Sequence, residues 1–337
     1  MTSEAKPIRW GILSTAKIGV EKVIPGIQQS ETGCVAAIAS RGLERAQAAA
    51  KDLGIDKAYG SYEELLADPD IDAIYNPLPN HMHVPLTLQA VEAGKHVLCE
   101  KPIALNAEEA RQLLNLPKDR LVAEGFMVRA HPQWIRAREI IRSGALGELR
   151  AIQSFFSYFN DDPGNIRNKP DIGGGALLDI GCYPMVTGRY FFEDEPKRVL
   201  SMIDRDPAFG TDRLSSAILD FGGGRRLDFT VSTQLVPYQR VNLFGAKARL
   251  EIMVPFNAPQ GEEVRLRLDD GSGFEDLSAK VEVIEAADQY GELADVFGRA
   301  VRGEIDLPYG PADAVQNMAI LDALFESDEK DAWVSLV

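Results

Sequence analysis

Along the first third of the chain, short apolar runs alternate with mixed ones. Residues 8–13 (IRWGIL), 34–40 (CVAAIAS), 71–76 (IDAIYN) and 96–99 (HVLC) read as buried strands. Between them, 18–28 (interrupted by Pro25), the alanine-rich 43–53 and 84–93 read as helices. Ser61 with Glu64, and Asn106 with Glu109, have the spacing in which a side-chain oxygen caps a helix and the acid three residues on reaches back. Strands separated by helices of this length imply βαβ units. The expected fold class is therefore an α/β Rossmann-like doubly wound parallel sheet.

The pattern changes after about Gly125. A helix over 131–143 leads into LRAIQSFFSYF, then a glycine-containing loop and helix, then long strands. In RRLDFTVST, Leu227, Phe229 and Val231 alternate with Arg226, Asp228 and Thr230, the period-two pattern of a half-buried strand. Residues 198–204, 215–221, 240–244, 249–253 and 264–268 read alike. This predicts an α+β second domain with a large open, mostly antiparallel sheet. The expected division is 1–125 for a nucleotide-binding domain and 126–337 for a substrate and oligomerisation domain. The helix at 311–326 is expected to pack back on the first.

A chain of 337 residues, 45% hydrophobic and 26% charged, has room for two such cores without a disulfide or metal staple. A formal charge of −15 argues against nucleic acid or an anionic membrane as partner. Cys34, Cys99 and Cys182 lack metal-ligand spacing, and the first two lie in apolar runs, so buried thiols in a reducing compartment are expected. No apolar leader or membrane-length run appears, so the expected location is cytoplasmic.

Four stretches carry chemistry. After the first strand comes Ser14-Thr15-Ala16-Lys17-Ile18-Gly19, where a dinucleotide-binding turn has G-x-G-x-x-G; Ser14 and Ala16 replace the first two glycines. The second strand ends in Ser40-Arg41, with no acid between Glu31 and Glu44. An arginine there suits a 2′-phosphate, which points to NADP before NAD. NPLPNHMH (76–83) follows a strand where an open sheet places its ligand crevice, so Leu78, Pro79, Asn80 and His83 are candidate cofactor contacts. His81 and His83 lack further metal-ligand neighbours, so no metal is expected. In GGGALLDIGCYP (173–184), Asp179 and Tyr183 are four apart and share a helix face.

PNHMH, CEKP (99–102) and GGGALLDIGCYP, in this order behind a Rossmann-like half, resemble the Gfo/Idh/MocA oxidoreductase family over nearly the whole chain. The resemblance implies that Lys101, Asp179 and Tyr183 meet at a nicotinamide, with Glu100 and Lys101 also touching the cofactor. A lysine beside Tyr183 would favour its phenolate and fit it for proton transfer, with Lys101 itself the other candidate acceptor. EGFMVRAHPQW resembles the border of the family's substrate pocket, making Arg129 and His131 candidate substrate contacts. In the polar loop 157–175, Asn160, Asp161, Asn165 and Arg167 suit hydroxyl recognition. The implied activity is hydride transfer between NADP and a sugar or polyol, with aldose C1 oxidation first and a trans-dihydrodiol second. A non-catalytic NADP sensor and a redox-neutral enzyme holding its nicotinamide remain alternatives. A homodimer or dimer of dimers is expected.

Overall fold

The protein is described by a computed structural model covering residues 6–336. Residues 1–5, on which the expectation about a leader falls, lie outside the described residues. The chain divides into two compact units, 6–130 with 288–315, and 131–287 with 316–336.

The first unit is built on six strands: β1 Ile8–Leu13, β2 Gly33–Ala39, β3 Lys57–Tyr59, β4 Ala73–Asn76, β5 His96–Cys99 and β6 Val122–Glu124. They lie in the order β3-β2-β1-β4-β5-β6, with every pairing parallel. Helices α1 Ile24–Gln29, α2 Leu43–Leu53, α3 Tyr62–Leu66, α4 His83–Glu92 and α5 Ala107–Arg111 form crossovers. The order reverses between β1 and β4, and there a doubly wound sheet opens a crevice beyond its carboxyl edge. Trp10, Ile12, Leu13, Ile38 and Ile74 are fully buried, each contributing about 1.5–3 kcal/mol.

Both predicted caps form. Ser61 Oγ accepts from Glu64 N–H at 3.2 Å and Asn106 Oδ1 from Glu109 N–H at 2.9 Å. The acids reach back one residue beyond the cap, to Gly60 N–H and Leu105 N–H. Pro25 does not break its helix. A π-helical turn over Gly19–Val23 hands over to α1 at Ile24, and Pro25 falls in the first turn of α1.

The second unit holds α6 Pro132–Arg142, α7 Cys182–Phe192 and a nine-stranded sheet. Its strands are β7 Leu149–Phe159, β8 Arg198–Arg205, β9 Asp212–Gly222, β10 Arg225–Ser232, β11 Gln234–Gly245, β12 Arg249–Ile252, β13 Val264–Asp269, β14 Lys280–Ile284 and β15 Val334–Ser335. The order is β14-β13-β12-β11-β7-β10-β9-β8-β15, antiparallel except where β10 pairs with β7. Leu227, Phe229 and Val231 face inward, as their alternation predicts.

Two readings need correction. Cys34 is exposed, whereas Cys99 and Cys182 are buried. Cys34 pairs with Arg9 at the start of β2, before that strand enters the core, and composition does not show where along a strand burial begins. The unit bounds also differ. Helix α8 Gln289–Val301 belongs to the first unit, where Phe297 packs on Trp10 and Asp295 accepts from Thr32 N–H at 2.8 Å. A Cβ on Gly26 would stand 2.8 Å from Gly291 N, so α1 and α8 meet at near-backbone distance. Of α9 Pro311–Lys330, residues through Val315 group with the first unit and the rest with the second.

Candidate active site

In the first unit, Ser14 adopts φ +77°, the left-handed conformation that glycine supplies in the usual turn. Its Oγ accepts from Ala16 N–H at 3.1 Å, which closes the loop and leaves the hydroxyl proton for donation. Thr15 to Ile18 lead into the π turn, anchored by Val20 N–H to Ala16 O at 3.0 Å. Lys17 is exposed beside Glu21. Gly19 is buried against Tyr75 and Pro77, yet a Cβ would make ordinary contacts of 3.6 and 3.7 Å there. Its packing thus does not demand glycine.

At the end of β2, Ser40 is buried and Arg41 exposed. Burial raises the Tyr62 phenol pKa, against the pull of the Arg41 and Arg45 guanidiniums. A tyrosine and two arginines therefore gather at this strand edge.

The loop after β4 is stitched from inside. Buried Asn76 donates to His83 O at 3.2 Å and accepts from Leu78 N–H at 3.3 Å. Leu78 is buried, and Pro79 and Asn80 are half-buried. His83 is itself fully buried, with Nδ1 2.7 Å from Pro102 O and Nε2 2.6 Å from Leu78 O. Burial pushes its pKa down to about 4, outweighing the two carbonyls. Both ring nitrogens face main-chain oxygens, so His83 ties two loops together and offers no ring nitrogen to a cofactor. That corrects its reading as a direct contact.

Next to it, Tyr75 donates to Glu100 Oε1 at 2.7 Å, and burial followed by the Glu100 charge keeps that phenol protonated. Lys101 follows at the end of β5, half-buried, and its peptide to Pro102 is cis. Arg129 is not poised for substrate. Its buried guanidinium contacts Asp313 at 2.5 Å and lies 4.0 Å from the centroid of the Tyr309 ring.

In the second unit, Asp179 is a hub. Its Oδ2 accepts from Tyr158 Oη at 2.5 Å and from Arg167 Nε at 2.9 Å. Asp179 sits on a π-helical turn, Leu177–Gly181, that runs into α7, and Tyr183 lies in the first turn of α7. Tyr183 is buried against the rings of Phe156 and Phe256. Burial and then the Asp179 charge hold the Tyr158 phenol far above its ordinary pKa. The Asp179 charge, with a smaller push from Tyr183, raises that of Arg167.

Tyr158 was missed from sequence. It lies on the same face of β7 as Phe156, two residues away, inside an aromatic run that reads as core. Among the other loop candidates, Asn160 Oδ1 accepts from Asp162 N–H and from Asn168 Nδ2, and Asn165 Oδ1 from Arg167 N–H. These amides shape the loop. Buried His131 caps α6, its Nδ1 accepting from Gln133 N–H at 3.0 Å. Among the described residues no His, Cys, Asp or Glu cluster has metal-holding geometry, and no helix is long and apolar enough to cross a membrane.

Comparison with known proteins adds three relatives and two family matches. Residues 8–124 match the GFO/IDH/MocA model described as an oxidoreductase family with an NAD-binding Rossmann fold. Residues 134–251 match the C-terminal domain of the same group. An uncharacterized oxidoreductase of Rhizobium meliloti, ORF334, is 46% identical over 97% of this chain and 98% of its own. The D-xylose 1-dehydrogenase (NADP(+)) 2 of Haloferax volcanii is 37% identical over 97% and 99%. Among solved structures, KijD10, a 3-ketoreductase from Actinomadura kijaniata in complex with NADP and TDP-benzene, superposes with a TM-score of 0.88 at 27% identity, covering 96% of this chain and 98% of that one.

Proposed function

The chain belongs to the Gfo/Idh/MocA oxidoreductase family, and on that premise we propose that it is an NADP-dependent dehydrogenase of a sugar or polyol, oxidising an aldose at C1. The observation that carries the reading is the second unit's cluster, in which Tyr183 lies near an arginine bound to Asp179. A phenol needs a nearby cation to act as a base at neutral pH.

The first unit fits the cofactor. Ser14 holds the left-handed turn at the switch point, and Arg41, with Arg45 and Tyr62 beside it, offers guanidinium donors where a 2′-phosphate would lie. Thr15, Ala16, Lys17, Ile18, Ser40, Leu78, Pro79, Asn80, Glu100 and Lys101 complete the proposed contacts. The relative that is an NADP(+) xylose dehydrogenase and the ketoreductase solved with NADP support the same choice. When bound, NADP supplies the hydride acceptor.

The protein's own residues move the proton. Tyr183 as phenolate takes it from the reacting hydroxyl and passes it to solvent, with Lys101 assigned to favour the phenolate. Asp179, held in place by Arg167 and Tyr158, orients the hydroxyl. The outer face of the nine-stranded sheet supports a homodimer. By register, exposed Met202, Ile218, Tyr238, Phe244 and Val281 share that face.

The test is absorbance at 340 nm with NADP⁺ and NAD⁺ against aldoses, inositols and trans-dihydrodiols, for wild type, Lys101→Ala and Tyr183→Phe. Turnover of one aldose with NADP⁺, lost in both variants, supports the reading. NADPH binding without turnover of any substrate overturns it in favour of a sensor or redox-neutral enzyme.

A further inference from the structure

Asp212 opens β9, 33 positions beyond Asp179 in the sequence, and has no part in the chemistry just described. Its side chain is buried, with Oδ2 accepting from Leu177 N–H at 2.6 Å and from Ser215 Oγ at 3.2 Å. Its Oδ1 rests against Gly175, where φ is +116° and an added Cβ would stand 1.9 Å from that oxygen. These donors and its own N–H are neutral, while the Arg205 charge acts on it more weakly than any of them.

A carboxylate buried with neutral donors alone is an expensive way to cap one helix turn. Asparagine would cap it with no charge to desolvate. The cost is visible in the carboxyl itself, which burial pushes up to about 7 against the pull of its donors. Groups kept at such cost gather at working sites.

The connections leading from Asp212 end at the site. Leu177 begins the turn that carries Asp179. Gly175 O accepts from Asp179 N–H at 3.1 Å, and Gly175 N–H donates to Arg167 O at 2.8 Å. Asp212 thus grips the two places from which Asp179 and its arginine are set. Resting on the function proposed above, we infer that Asp212 is a positioning residue, which fixes the Gly175–Leu177 backbone so that Asp179, Arg167 and Tyr183 keep one working arrangement.

The test combines backbone hydrogen exchange by mass spectrometry with steady-state kinetics, on full-length Asp212→Asn and Asp212→Ala. In Asp212→Ala, exchange should rise over 175–183 while peptides of β10 and β11 keep wild-type protection. There kcat should fall about 10- to 100-fold, with the KM for NADP⁺ unchanged. Asp212→Asn, which keeps an acceptor for Leu177, should exchange like wild type and retain more kcat than the alanine variant. Wild-type exchange and wild-type kcat in Asp212→Ala would overturn the inference, as would loosening throughout the unit. If wild type turns nothing over, the functional reading fails, while exchange confined to 175–183 still decides whether Asp212 fixes that turn.

Discussion

The Tyr158 hydroxyl donates to the Asp179 oxygen that also receives Arg167 Nε, at 2.5 and 2.9 Å. One carboxylate oxygen thus accepts from a neutral and a cationic donor brought from a strand and a loop. This holds the Asp179 side chain in place from two sides.

Tyr158→Phe removes the neutral donor and leaves the ion pair. A hydrogen bond to a charged group contributes about 1.5–3 kcal/mol. If the bond matters equally at the transition state, kcat/KM should fall about 10- to 100-fold. The KM for NADP⁺ should not move. Steady-state kinetics with both substrates varied checks this.

Arg167→Ala removes a cation from the neighbourhood of Tyr183. A positive charge favours phenolate, so its loss moves the rise of kcat/KM with pH to higher pH. Arg167→Lys keeps the charge and should leave that limb close to wild type while lowering activity through the altered geometry. A pH–rate profile of each variant reads both effects.

Arg41→Ala should raise the KM for NADP⁺ about tenfold or more and leave that for NAD⁺ nearly unchanged, because only NADP carries the 2′-phosphate. Arg41→Asp should go further, repelling that phosphate and accepting from a ribose hydroxyl. The ratio of kcat/KM for the two cofactors is the measurement.

Two buried groups give stability opposite pH slopes. The folded pKa of His83, pushed by burial to about 4, lies below its ordinary value of 6.5. The unfolded chain therefore binds the proton first, and stability is lost as pH falls from about 6.5 to 4. The folded pKa of Asp212, pushed by burial to about 7, lies above its ordinary 3.8, so stability is lost as pH rises through that window. Asp212→Asn should accordingly raise the melting temperature at pH 8 relative to wild type and bring no such gain at pH 4. Thermal melts at the two pH values decide it.

What the sequence determined by itself was local. Apolar runs separated by helical ones specify β1, β2, β4 and β5 of the parallel sheet, because each is written in its own residues. Strands β3 and β6, three residues each, are too short to show a pattern. The Ser61 and Asn106 caps form because their partners lie three residues away. Asp179 and Tyr183 could be paired for the same reason, since four residues make about one helical turn. Tertiary structure alone decided the rest. Arg129 meets Asp313 across 184 residues, Tyr158 reaches Asp179 across 21, and Asp212 meets Leu177 across 35. Those partners follow from sheet order and from which face of a strand turns inward, and such long-range pairing leaves no periodic mark on the chain. For the same reason the exposure of Cys34 and the grouping of α8 with the first unit became visible only once the strands were in register.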